Sequence, residues 1–317
     1  MEYDTSLFST AALRQTPKAI VALHRDFIKS GCSVITTASY AVTRFYLDKV
    51  GEGHRVMELA ALSVELAKQA RADEGAGSSV LIAGSVPPLG ESYTAAPLSA
   101  PELREQYAEL VRGLRGCDVF VCETLATLVE ARIAVETCLQ QGGAAPRVWL
   151  SFHPRRPLST DTEADGAVCL TGDGSSVHAA VGLAIELGVE ALLFNCAPPE
   201  LVRLAIIEAV AATAAAGGGA SRRLRIGGYA NFFTEAPLGG FMIENQESAP
   251  GAGDQKAGAM VPRDITHDEY ACCACEWVDC GASIVGGCCG IGPDAMAAVC
   301  RRVRGRTRAR HRAPSAG

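Results

Sequence analysis

The sequence predicts an α/β protein built as a single (β/α)₈ barrel that lacks its first strand, and three observations carry that expectation. Seven short, apolar, β-branched runs recur along the chain, amphipathic helical stretches alternate with them, and no change of composition marks a second region. Continuous apolar strands that alternate with helices are the pattern of parallel βαβ units buried on both faces. Spaced roughly 30–45 residues apart, they point to one closed barrel rather than a doubly wound sheet.

In chain order, the predicted strands cover 33–37, 80–86, 119–123, 147–152, 191–196, 224–229 and 283–287. Helical patterns lie near 17–30, 54–72, 101–115, 125–140, 176–188, 199–215, 265–281 and 293–303. The count is uneven, seven strands against eight helices, because the first clear element is a helix with no strand before it. Residues 1–16 are polar and turn-like, and LFSTAAL is too short and too Ala-rich to make a barrel strand. A barrel missing one strand leaves unpaired backbone groups on both neighbours, so the runs at 33–37 and 283–287 are expected to face a gap. The barrel domain is expected over residues 1–304, with a loose connection at 211–220 and a Gly/Ala/Pro-rich loop at 247–263. Residues 305–317 read as a basic, disordered tail that continues an arginine-rich helix end.

The bulk composition is that of a globular enzyme. Of 317 residues, 48% are hydrophobic and 20% charged, with net charge −6 and pI about 5.6. Nothing global favours nucleic acid or an anionic membrane. No stretch approaches the ~18 apolar residues of a membrane span, and the N-terminus lacks a basic region followed by an apolar one, so the cytoplasm is the expected location. Thirteen cysteines, an odd number, in a chain this large do not form a disulfide framework. Cys32, Cys122, Cys138, Cys169 and Cys300 sit in apolar runs and read as small buried hydrophobes.

A barrel of this kind carries its chemistry at the C-terminal ends of its strands. Two of those ends bear cysteine: Asn195-Cys196, and Gly287-Cys288-Cys289-Gly290. Thiolates are soft ligands that hold Zn²⁺ tetrahedrally, and three of them leave a fourth position open, as catalytic sites do. Neighbouring strand residues point to opposite faces. Cys288 and Cys289 can therefore share one metal only where the chain leaves the strand, an exit that Gly286, Gly287 and Gly290 permit. The other reading is a tight small-residue strand end, or a redox-active or non-catalytic zinc-binding dithiol; Cys196 at a facing strand end favours zinc. A rival cluster, Cys272, Cys273, Cys275 and Cys280, lies on a helical pattern with no second CxxC and reads as structural. No strand is followed by GxGxxG, which disfavours a dinucleotide-type methyltransferase fold. No strand end carries the lysine of an aldolase, and His153 reads as a loop residue.

The runs GCSVITTASY, VFVCETLATLVEA, WLSF, FNCAPP and GASIVGGCCGIGP resemble, in that order, the homocysteine S-methyltransferase family, over about residues 6–303. The resemblance implies a zinc-binding TIM-type barrel that transfers a methyl group to the thiol of L-homocysteine, giving methionine. It implies Cys196, Cys288 and Cys289 as the zinc ligands and Glu123 as the partner of the homocysteine amino group. The expected partners are small molecules: homocysteine and a sulfonium donor, S-methylmethionine or S-adenosylmethionine, with a betaine-type donor as the alternative. Rim aromatics Tyr40, Phe152 and Tyr229 could add cation–π contact to such a donor. The family pattern begins one strand earlier, with an acidic, glycine-rich loop that helps hold the amino acid; this sequence has no such segment.

Overall fold

The structure, a computed structural model, describes residues 9–144, 146–158, 167–170, 172–221, 223–234 and 262–312. Its strands are β1 (Val34–Thr36), β2 (Leu81–Val86), β3 (Val119–Leu125), β4 (Val148–Phe152), β5 (Pro154–Arg155), β6 (Cys169–Leu170), β7 (Ala191–Asn195), β8 (Arg225–Ala230) and β9 (Ile284–Gly287). The helices are α1 (Ser9–Gln15), α2 (Pro17–Lys29), α3 (Arg44–Leu47), α4 (Val56–Asp73), α5 (Ala100–Gly113), α6 (Leu128–Gln141), α7 (Val177–Leu187), α8 (Pro199–Ala216), α9 (Gly218–Ser221), α10 (His267–Asp279) and α11 (Pro293–Arg312). Seven strands form one parallel sheet in the order β1-β2-β3-β4-β7-β8-β9, each predicted run supplying one of them. The sheet curls as a TIM-type barrel does: Tyr229 on β8 reaches across it to Glu123 on β3.

Among the described residues no strand joins β1 to β9, and those two stand at the ends of the sheet. Residues 9–15, expected as turn, instead make α1, whose Leu13 is fully buried and whose Arg14 pairs with Glu52. The end of the 211–220 stretch, expected as a loose connection, enters the single turn α9 (Gly218–Ser221). The ribbon β5–β6 was not legible, because two-residue strands have no period to read. α11 continues to Arg312, through residues expected as a disordered tail, and Arg306 on it pairs with Asp279. Residues 1–8, most of the 247–263 loop and 313–317 lie outside the described residues.

Local signals explain the helix starts. Ser99 with Glu102 and Thr266 with Glu269 form reciprocal capping boxes at α5 and α10, each satisfying two backbone donors that the first turn leaves free. Side chains on the sheet alternate with period two. Ala83, Val121, Trp149 and Leu193 form a small cluster inside the curl. Cys122, Leu150, Phe152, Leu192 and Phe194 face the other way, into the main core beneath the helices. The next inward layer, two residues further along each strand, is polar: Ser85, Glu123, Ser151, Asn195 and Tyr229. That change from apolar to polar marks where core ends and site begins.

Candidate metal and substrate site

Cys196 follows β7 directly and is 3% exposed. Its backbone is left-handed, φ 56°, a costly conformation for a residue with a Cβ. Hydrogen bonds hold it there: its N–H donates to the Tyr229 carbonyl (3.1 Å), and its carbonyl accepts from Asn231 Nδ2 (2.6 Å). Thr124, φ 59°, has the same conformation at the end of β3. Asn195 ties the two strand ends together: its Oδ1 accepts from Thr124 N–H (3.1 Å) and Ser151 Oγ (2.7 Å), and its Nδ2 donates to Thr124 Oγ1 (2.7 Å).

Beyond β9 the Cys288 N–H donates to the Ala230 carbonyl (2.8 Å), and the Cys289 carbonyl accepts from Phe232 N–H (3.1 Å). The glycines around the pair differ in purpose. Gly290 turns the chain at φ 81°, whereas Gly287 is needed for space, since a Cβ there would lie 2.2 Å from Ile291 Cγ2. The exit expected from sequence is thus made by one glycine and cleared by another.

The three sulfurs converge, all within 4.8 Å of one another. Cys196 Sγ lies 3.5 Å from Cys289 Sγ, and Cys288 Sγ lies 3.9 Å from Cys289 Sγ. Sulfurs held tetrahedrally at ~2.3 Å from a metal stand about 3.8 Å apart, so this donor set fits a tetrahedral thiolate ion. The neighbouring thiols of Cys288 and Cys289 pull the Cys196 pKa well below the ordinary thiol value, while the proximity of Cys196 raises Cys288 and Cys289. Cys196 is buried, Cys288 half-buried and Cys289 exposed, so the open side faces solvent. Among the described residues this is the group able to share an ion. The α10 cysteines do not converge, and Cys272 instead accepts from Arg302.

Glu123 is 8% exposed. Its carboxylate accepts from Ser85 Oγ (2.5 Å) and Tyr229 OH (2.9 Å). Burial pushes its pKa up, so a cation beside it would be stabilising. Ser85 and Tyr229 were not singled out as its partners from sequence, although counting two residues on from the apolar layer reaches both. Tyr229 is therefore tied to Glu123, and Phe152 is core, not rim.

Tyr93 was also missed, because it sits on the β2–α5 loop, where no period operates. Its hydroxyl lies 3.1 Å from Cys196 Sγ, its ring packs on His153 (centroids 4.2 Å), and its φ is 71°. Buried Glu130 holds that loop, accepting from Leu89 N–H and Tyr107 OH. His153 is fully buried, and burial lowers its pKa to about 4, which keeps it a neutral packing partner.

The sequence model of the homocysteine S-methyltransferase family matches residues 1–303. Homocysteine S-methyltransferase 4 of Zea mays is 26% identical, the match covering 94% of this chain and 83% of that protein. Betaine-homocysteine S-methyltransferase of Drosophila melanogaster is 29% identical, covering 91% and 84%. The homocysteine methyltransferase MmuM from Escherichia coli, solved in a metallated form, superposes with a TM-score of 0.69 at 24% identity, over 95% of this chain and 90% of that one. That last likeness bears on the fold. Among the described residues no helix is long and apolar enough to cross a membrane.

Proposed function

Because this chain belongs to the homocysteine S-methyltransferase family, a family of methyltransferases acting on homocysteine, we propose that it uses zinc held by Cys196, Cys288 and Cys289 to methylate the homocysteine thiol. The donor in this reading is a sulfonium, S-methylmethionine or S-adenosylmethionine, and the product is methionine. The observation that carries it is the convergence of three sulfurs, from two strand ends far apart in sequence, at tetrahedral spacing on an open rim.

Bound zinc would supply the Lewis acidity that keeps an alkyl thiol, ordinarily protonated at pH 7, in its nucleophilic thiolate form. The chain's own residues do the positioning. Glu123, aimed by Ser85 and Tyr229, receives the ammonium of homocysteine through a charge-assisted hydrogen bond. Asn195 fixes the β3 and β7 ends, keeping Glu123 in register with Cys196. Tyr93 covers Cys196 from the loop side and excludes water from that sulfur. Three thiolates around a divalent ion leave net charge −1, which suits a cationic methyl donor.

The test is metal analysis of the purified chain together with methionine formation from homocysteine, with S-methylmethionine, S-adenosylmethionine and betaine as separate donors. One zinc per chain and turnover with a sulfonium are expected. Turnover with betaine alone would replace the donor, and a chain that binds no zinc yet methylates homocysteine would overturn the metal assignment.

A further inference from the structure

Cys32 and Cys300 lie at the foot of the barrel, at the opposite end of the strands from the cysteine triad. Cys32 leads into β1, and Cys300 lies on α11, the helix that follows β9, so the pair spans the two ends of the sheet. The two thiols lie close enough that each shifts the titration of the other. Gly31, at φ 95°, brings the chain so close that a Cβ there would lie 3.3 Å from Cys300 Cβ, and Arg304 donates to the Gly31 carbonyl. Both thiols are partly exposed and line a cavity of about 780 Å³ that opens between Ile35 on β1 and Val285 on β9. Cys122 and Cys138, whose sulfurs lie 3.7 Å apart, are instead sealed in the core.

We propose that Cys32 and Cys300 form a reversible disulfide, a redox clasp that closes the seam between β1 and β9. The neighbouring Cys32 thiol, helped by the Arg304 guanidinium, lowers the Cys300 pKa to about 7, which favours its thiolate. The oxidant is a peroxide. The Cys300 thiolate attacks the O–O bond of hydrogen peroxide, giving a sulfenic acid and hydroxide. The Cys32 thiol then attacks that sulfur, forming the S–S bond and releasing water. An S–S bond of about 2.05 Å requires the two thiols, which border the same cavity, to approach one another. The closed loop runs from residue 32 to residue 300, so the link restricts nearly the whole unfolded chain.

The test is peroxide treatment of the full, metal-loaded protein with thiols blocked on quenching. Cleavage by trypsin together with a protease that cuts before aspartate isolates Cys32 on peptide 30–44 and Cys300 on peptide 294–301, each with a single cysteine. The expected result is a linked 30–44/294–301 peptide that dithiothreitol separates, with a rise in Tm on the order of 10 °C. Cys32→Ser and Cys300→Ser should lose both signals while methylating homocysteine at the wild-type rate when reduced. Free thiols on both peptides after peroxide, or a linked peptide with unchanged Tm, overturns the clasp.

Discussion

The arc from β2 to β7 and the seam between β1 and β9 are built from the same βα unit but differ in support. Strands β3, β4 and β7 are buried at every residue, whereas β1 has one buried residue of three and β9 has none. The site draws on both regions. Cys196 and Glu123 stand on the arc, held by Asn195 and Tyr229, while Cys288 and Cys289 follow a strand that, among the described residues, pairs only with β8. Backbone strain is stored on the supported side: Thr124 and Cys196 keep left-handed conformations where several hydrogen bonds over-determine them. On the seam side the left-handed turn falls to Gly290, which needs no such compensation. An ion shared by the three cysteines would couple a rigid half to a weakly held half.

The strongest challenge to that picture is removal of one ligand from each region. Cys196→Ser, Cys288→Ser and Cys289→Ser are each expected to lose zinc and to slow methyl transfer by more than about 100-fold, beyond the range of an outer-shell partner. Cys275→Ser on α10 should keep both, as zinc stoichiometry and turnover would show; full zinc retention by the Cys196 variant would break the assignment. Next comes Asn195→Ala, which removes the link between the β3 and β7 ends. It should cost on the order of 3 kcal/mol in denaturant unfolding, from buried groups left unpaired. A loss under 1 kcal/mol would mean the arc does not depend on that link.

Acid tests the seam, because His24 on α2 lines its cavity. Burial lowers the His24 pKa from 6.5 to about 4. The unfolded chain therefore takes up the proton first, so this stability is fully present above pH 6.5 and is lost as pH falls from 6.5 to 4. It amounts to about 3 kcal/mol. His153, lowered the same way, adds loss in the same window. His24→Leu should flatten the fall in unfolding free energy between pH 7 and 4, and an unchanged slope would remove His24 from the account. A smaller effect is expected of Glu123→Gln, which keeps the fold and the zinc but loses the charged contact to the amino group. Its KM for homocysteine should rise roughly 10–100-fold, and an unchanged KM would count against that role. Smallest is Tyr270→Phe behind the seam, where the hydroxyl bridges the carbonyls of Ala230 and Gly286. A fall in Tm of roughly 2–4 °C is expected; no change would show that β9 draws its support from elsewhere.

The sequence by itself determined the seven strands, the parallel βα order and the three cysteines, because buried parallel strands read as unbroken apolar runs and GGCCG stands at the end of one. Glu123 came from the family resemblance, and the sequence shows it as a carboxylate ending an otherwise apolar strand. What only the tertiary structure decided depends on the closeness of residues far apart in the chain. Period-two counting places Ser85 and Tyr229 on the inner face, yet only the curl of the sheet brings both hydroxyls to one carboxylate. Tyr93 reaches Cys196 from an aperiodic loop held by the buried Glu130. Cys32 and Cys300, indistinguishable in sequence from core cysteines such as Cys122, border one cavity because β1 and α11 flank the same seam. Local pattern fixes which face a side chain takes; packing between distant segments fixes what it meets there.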